Sequence, residues 1–408
     1  MNRFIVAPLL LVGSILLAVS FGLTQAPVPD GTDLYNDVRG MAYMANNFAY
    51  SWAYLKQIAK EAHESGKGME GFEMDNDGTI VQSARSLGDI IKVYEDNKEL
   101  IENSKTFGEK LTSNNFNEFV EDMKDIDIEG DSLVLQRYDD MNQDEELVYS
   151  ISTDEINHRI IVTFRGTENS MAFGSNWGAN IDILKVTEDV PALLKGEFKS
   201  DTVSIHKGFH TYMHKESLQS GKSFYDEITR QVKNLLQNSY TKYTSVYVTG
   251  HSLGAALSTL YSYYIASDPD IPGPVKCINF ASPRVGDRNF LQAVQHLEKT
   301  QRLQMIRVVN DNDVVPTVPT IGFSHVGFQI KLYSNLKANK EKDPDMFYPS
   351  KDHGIMKWMK QSLSNRVPVL YAPAVGREHA GTEYTRRLES SMTWFKSFKL
   401  DKLYIELM

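Results

Sequence analysis

The sequence predicts an α/β fold: a largely parallel central sheet with helices on both faces, preceded by a helical extension. Three observations point there. Short β-branched runs alternate with helical stretches from about residue 130 onward, the pattern of a wound sheet rather than a bundle or a sandwich. Runs such as Arg159-Ile-Ile-Val-Thr-Phe164 and Gln304-Met-Ile-Arg-Val-Val-Asn310 are nearly continuous in apolar character, as strands covered on both faces are. A strand candidate, Val246 to Thr249, leads directly into Gly250-His251-Ser252-Leu253-Gly254 and then into a small-residue and apolar helical run ending near Ala266.

Along the chain, Met1-Asn-Arg3 precedes an almost unbroken apolar run from Phe4 to Leu23, long for a signal core and just long enough to span a bilayer as a helix. Residues 1–26 therefore read as a cleaved signal peptide or a retained anchor. Arg3 on one side and Asp30 and Asp33 on the other direct the rest of the chain away from the cytosol, to a secreted, lumenal or membrane-anchored location. Residues 27–129 form an extension with helical runs at Leu34 to Ala62 and Ile80 to Ser104, split by the glycine-rich acidic stretch Ser65 to Gly78. The aromatic stripe of the first run (Tyr35, Tyr43, Phe48, Trp52 among others) suits core packing against the sheet. The main domain is set at 130–365, with strands at Leu133 to Arg137, Leu147 to Thr153 and Arg159 to Phe164. A long amphipathic helix comes next near Gly208 to Gln237, interrupted around Ser217 to Gly221, and another spans about Arg288 to Glu298. Residues 366–408 form a C-terminal extension with a helix expected from about Thr393 to Leu407.

Gly-x-Ser-x-Gly between a strand and a helix is the nucleophile elbow of α/β-hydrolases, and it occurs once in this chain. The turn is so tight that glycine is needed where strand and helix nearly touch, and it raises the Ser252 hydroxyl above the sheet. A serine nucleophile needs a base and an acid, in the chain order Ser, Asp or Glu, His. Asp313 follows the Gln304 to Asn310 strand and enters a proline-stiffened loop, with Asp311 as the nearest rival. Three histidines remain for the base. His325 opens a strand and suits a hydrogen-bonded core position; His353 lies on a loop before a helical run, Ile355 to Ser362; His379 lies in the glycine-flanked tail. His353 is the expected base, with His325 and His379 as the alternatives.

With these motifs in place the chain resembles the class 3 lipase family, which includes the fungal triacylglycerol lipases. The matching stretches run in order: Val162 to Thr167, Ile205 to Phe209, Val248 to Gly254, Phe280 to Gly286, Val308 to Pro316, His325 to Gly327 and Asp352-His353, together covering about 130–362. The resemblance implies Ser252 as nucleophile, Asp313 as acid, His353 as base and a structural His325. It also implies an oxyanion hole from the backbone N–H of Leu253 and that of Thr167, which follows the Arg159 to Phe164 strand. Residues 168–182, with Met171, Phe173 and Trp177 among glycine and serine hinges, occupy the family's lid position, although their length and charge depart from typical fungal lids.

The balance of 53 acidic against 43 basic residues, a net charge of −10, argues against nucleic acid and against purely electrostatic docking to anionic membranes. One cysteine, Cys277, excludes an internal disulfide and reads as a buried strand residue. His206, His210 and His214 recur every four residues, yet Gly208 interrupts them and no carboxylate sits at a telling sequence offset, so no metal is expected. The expected function is a serine-dependent carboxylic ester hydrolase that requires no cofactor. Triacylglycerol is the default substrate by resemblance, presented at a lipid–water interface, with membrane attachment through residues 4–23 as a further expectation. Phospholipase A1, diacylglycerol lipase and feruloyl-type esterase use the same triad, and a catalytically silent lipase-like scaffold is the alternative from another class.

Overall fold

A computed structural model describes residues 33–110, 132–139, 147–166, 184–217, 220–238, 243–319, 321–334, 342–348 and 377–407. The strands are β1 (Phe72–Met74), β2 (Ile80–Ser83), β3 (Leu133–Asp139), β4 (Tyr149–Asp154), β5 (Arg159–Phe164) and β6 (Lys185–Asp189), then β7 (Thr202–His206), β8 (Ser245–Gly250), β9 (Val275–Phe280), β10 (Leu303–Asn310), β11 (Phe328–Leu332) and β12 (Asp345–Phe347). Eight of these form the central sheet in the order β12-β11-β10-β9-β8-β5-β4-β3. The pairs from β5 through β8, β9 and β10 to β11 are parallel, while β3, β4 and β12 join antiparallel at the edges. The apolar runs sit where burial demands them: every residue of β5 and of β10 is buried, whereas edge strand β12 is not.

One face of the sheet is covered by α6 (Lys207–His214), α7 (Phe224–Asn238), α8 (Leu253–Ala266) and α9 (Arg288–Lys299), whose Phe209, Ile228, Leu260 and Phe290 join Val162, Val248 and Cys277 in a single core. The break expected between α6 and α7 occurs at 215–223, where Ser217 N–H donates to the Lys222 carbonyl at 2.8 Å around Gly221 at φ +61°.

The other face is covered by α1 (Leu34–Tyr43), continued through a π-helical turn at Met44–Phe48 into α2 (Ala49–Glu64), together with α10 (Gly381–Ser390), α11 (Met392–Lys396) and α12 (Leu400–Leu407). Leu34, Val38 and Met41 of α1 and Tyr384, Leu388 and Tyr404 of the C-terminal helices meet Ile161, Tyr247, Ile278 and Phe280 of the sheet. Polar anchors fix this face: Tyr247 Oη donates to buried Asp37 at 3.2 Å, and Arg159 spans Asp37 at 3.3 Å and Asp154 at 2.8 Å.

The second helical run of the extension differs from expectation. Ile80–Ser83 is a strand paired with β1, and helix begins only at Leu87 as α3 (Leu87–Asp96), followed by α4 (Lys98–Glu102) and α5 (Lys105–Lys110). Asp75 accepts from the Asp77 and Thr79 N–H groups at 3.0 and 2.8 Å, closing a hairpin turn at Gly78, and Ser86 then caps α3 by accepting from Asp89 N–H. The turn and the cap outweigh the helical periodicity of Ile80 and Val81.

Candidate active site

The site is built where β8 ends and α8 begins. Ser252 is the N-cap of α8 and has φ +59°, ψ −121°, a backbone conformation that an L-residue adopts only under strong constraint. The constraint is contact on both sides. A Cβ on Gly250 would lie 2.4 Å from the Gly254 carbonyl, and one on Gly254 would lie 2.2 Å from the Phe164 oxygen. Ser252 N–H donates to Phe280 O at 3.0 Å, tying the elbow to β9. Leu253 opens the helix, so its N–H belongs to the first turn, whose amides lack intrahelical acceptors and carry the positive end of the dipole.

The Ser252 hydroxyl lies 2.9 Å from His379 Nε2, and His379 Nδ1 lies 2.9 and 3.1 Å from the two oxygens of Asp313. All three are buried, at 2%, 3% and 1% exposure. The imidazole has one nitrogen on each neighbour, so the position between hydroxyl and carboxylate is filled. The histidine that meets Ser252 and Asp313 is His379, one of the two alternatives, and the expected base, His353, lies outside the described residues.

Asp313 is held by two donors, Val315 N–H to Oδ1 at 2.9 Å and Tyr384 Oη to Oδ2 at 2.6 Å. Tyr384 Oη also accepts from Asn310 N–H at 3.1 Å, linking α10 to the end of β10. His251 Nε2 donates to the His379 carbonyl at 2.8 Å, with ring centroids 4.7 Å apart. Burial first, and His379 beside it second, push the His251 imidazole down to about 3, so it stays neutral and keeps the tautomer this hydrogen bond requires. Behind His379, fully buried Arg387 donates to Glu383 Oε1 and Asp311 Oδ1, each at 2.7 Å, and pairs with Glu378. Asp311, the rival acid, is thus engaged by Arg387.

Sequence reasoning alone does not single out Tyr384, Arg387 or His251. The usable signal is positional: His379 also satisfies the order Ser, Asp, His, and it directly precedes an amphipathic helix with Tyr384 and Arg387 on its buried side. His325 Nε2 donates to Pro316 O at 2.6 Å, which braces the loop after Asp313. Its half-buried imidazole is pushed well below its ordinary range by desolvation, then by Arg307 and Arg284. Cys277 is buried in β9, with its thiol pushed up to about 11 by burial.

Thr167, Met171, Phe173 and Trp177, and the apolar run 4–23, lie outside the described residues. Among the described residues no helix is long and apolar enough to cross a membrane. Of the three spaced histidines, His206 accepts from Gly208 N–H at 3.1 Å through Nδ1 and stacks on Phe209, apart from the other two. His210 and His214 converge with Glu188, a grouping of metal-ligating atoms that departs from the expectation of no metal site.

Residues 161–323 match the family described as lipase (class 3). A phospholipase A1-II 3 of Oryza sativa subsp. japonica is 33% identical over 183 residues, covering 42% of this chain and 41% of that protein. Phospholipase A1-IIgamma of Arabidopsis thaliana is 33% identical over 173 residues, covering 38% of this chain and 41% of that protein. The chain thus spans about two fifths of the length of these relatives. Among solved structures, the triacylglyceride lipase of Rhizomucor miehei is similar at 23% identity and a TM-score of 0.39, over 50% of this chain and 68% of that one. The matched segment contains the Ser252 elbow and Asp313 and ends before His379. The similarity to the class 3 lipase family thus rests on residues 161–323.

Proposed function

We propose that the protein is a serine-dependent carboxylic ester hydrolase acting on acyl esters of glycerolipids. The observation that carries this is the buried relay in which His379 Nε2 stands 2.9 Å from Ser252 Oγ while Nδ1 stands 2.9 Å from Asp313. Ser252 Oγ attacks the ester carbonyl as His379 takes its proton, and Asp313 holds the tautomer and stabilises the imidazolium. The Leu253 N–H, with that of Thr167, stabilises the oxyanion, an effect worth roughly 3–4 kcal/mol per donor. His379 then protonates the leaving alcohol, and water repeats the cycle on the acyl-enzyme to release the fatty acid. Water is the only co-reactant this chemistry needs.

Triacylglycerol is the default substrate. A second reading, phospholipase A1, is favoured by the names of the rice and Arabidopsis relatives. For residues 4–23, the proposal is a signal or anchor that delivers the catalytic domain to the non-cytosolic side, where a lipid surface is met. The test is hydrolysis of short-chain p-nitrophenyl esters, emulsified triacylglycerol and phosphatidylcholine vesicles, beside Ser252→Ala. Turnover abolished in the variant supports the hydrolase, and the ranking of the lipids decides between the two substrates. Wild type inert on every ester overturns the reading in favour of a silent scaffold.

A further inference from the structure

A second polar cluster lies on the same face of the sheet as the elbow helix, far from Ser252. β6 and β7 form an antiparallel hairpin, with Glu188 opposite Val203. The hairpin runs into α6, where His210 and His214 are one turn apart and project together, with ring centroids 4.4 Å from each other. Glu188 Oε2 lies 3.1 Å from His210 Nε2. Tyr264, near the end of α8, donates its hydroxyl to Glu188 Oε1 at 2.9 Å and lies 3.1 Å from His214 Nε2. Ser252 and Tyr264 are twelve residues apart on α8, which places the cluster about 18 Å along the helix from the nucleophile.

We propose that Glu188, His210 and His214 form a zinc-class divalent cation site that pins the β6–β7 hairpin to α6 and α8. One ligating atom from each lies within 4.8 Å of the others, and all three residues are half-buried. A four-coordinate ion with bonds of 2.0–2.1 Å holds its ligands about 3.3 Å apart. The Glu188–His210 edge is already near that spacing, and the others lie within 4.8 Å. Two imidazoles and one carboxylate are the donor set of zinc and its neighbours rather than of calcium or magnesium, which take oxygen. Tyr264 serves as the hydrogen-bonding partner that orients the carboxylate, with the fourth position left to its hydroxyl or to water. The carboxylate comes from a different strand, 22 residues before His210, which is why spacing within the histidine run does not disclose it.

The test uses the untagged full chain, stripped with a chelator and titrated calorimetrically with zinc sulfate and separately with calcium chloride. Glu188→Gln and His214→Asn are measured beside it; Glu188→Gln keeps the shape of the side chain and an acceptor for Tyr264, so it separates metal binding from folding. The expected result is one zinc per chain, a Tm raised by zinc, and affinity weakened more than about a hundredfold in either variant, beyond the loss typical of a disturbed supporting partner. The inference is overturned if zinc produces no binding heat, if both variants bind it as the wild type does, or if calcium binds in preference.

Discussion

Replacing His379 by alanine tests the assignment of the general base most directly. The imidazole spans 2.9 Å to Ser252 Oγ and 2.9 Å to Asp313, both inside the reach of about 2.6–3.2 Å that general-base transfer requires. Without it Ser252 has no proton acceptor, and the loss typical of a triad histidine is roughly four to six orders of magnitude in kcat. At 1.36 kcal/mol per factor of ten, that is about 5 to 8 kcal/mol of transition-state stabilisation. The backbone survives the change, because His251 donates to the carbonyl of residue 379 rather than to its side chain. The assay is p-nitrophenyl butyrate hydrolysis, paired with the rate of fluorophosphonate labelling at Ser252 and with the thermal midpoint. His353→Ala is the companion variant and is expected to keep kcat within a few-fold of wild type, since His379 already occupies the position between Ser252 and Asp313. Should His379→Ala stay within tenfold of wild type while His353→Ala loses activity, the general base is His353 and the buried contact to His379 is structural.

The same geometry sets other outcomes. Tyr384→Phe removes a charge-assisted hydrogen bond to Asp313 and the acceptor of Asn310 N–H, a loss of roughly 1.5–3 kcal/mol. We expect kcat to fall about ten- to a hundredfold with KM held, and an unchanged kcat would mean that Val315 N–H alone secures the carboxylate. Gly254→Ala sets a Cβ 2.2 Å from the Phe164 oxygen, so the variant should yield little soluble protein or melt far below wild type, as judged by expression and circular dichroism. Burial pushes the Glu298 carboxyl up to about 8, against hydrogen bonds from Tyr348 and Tyr404 that lower it. Its folded state holds the proton more tightly than the unfolded state, so the stability it contributes is complete below about pH 4.5 and is lost as pH rises through about 8. Scanning calorimetry should show the Tm of wild type falling across that window and the slope reduced in Glu298→Gln; parallel slopes would place the pH dependence elsewhere.

The parts legible in the sequence are those whose physics is local. The elbow is legible because five consecutive residues satisfy one steric demand, visible in the near-contact of Gly250, Gly254 and Phe164. The parallel strands are legible because burial on both faces makes their runs nearly continuous in apolar character, and the α6–α7 break because Gly221 supplies the turn. Ile80 to Ser83 reads as helix because a hairpin closed by the Asp75 side chain leaves the same apolar residues that a helix would. The base is the instructive case. Chain order restricts it to histidines after Asp313 but cannot rank them, since the ranking depends on which one the chain brings back to the sheet. His379 returns because α10 packs Tyr384 and Leu388 into the core that α1 shares, and because Arg387 ties Glu378 and Glu383 to Asp311 beside β10. Apart from Asp311, the side chains that make these contacts lie beyond the matched family segment, so the histidine is brought to the sheet by the C-terminal extension. The same limit hides the Glu188 cluster: a carboxylate on one hairpin strand and two histidines on a helix become neighbours only through tertiary packing, which no offset within a single element records.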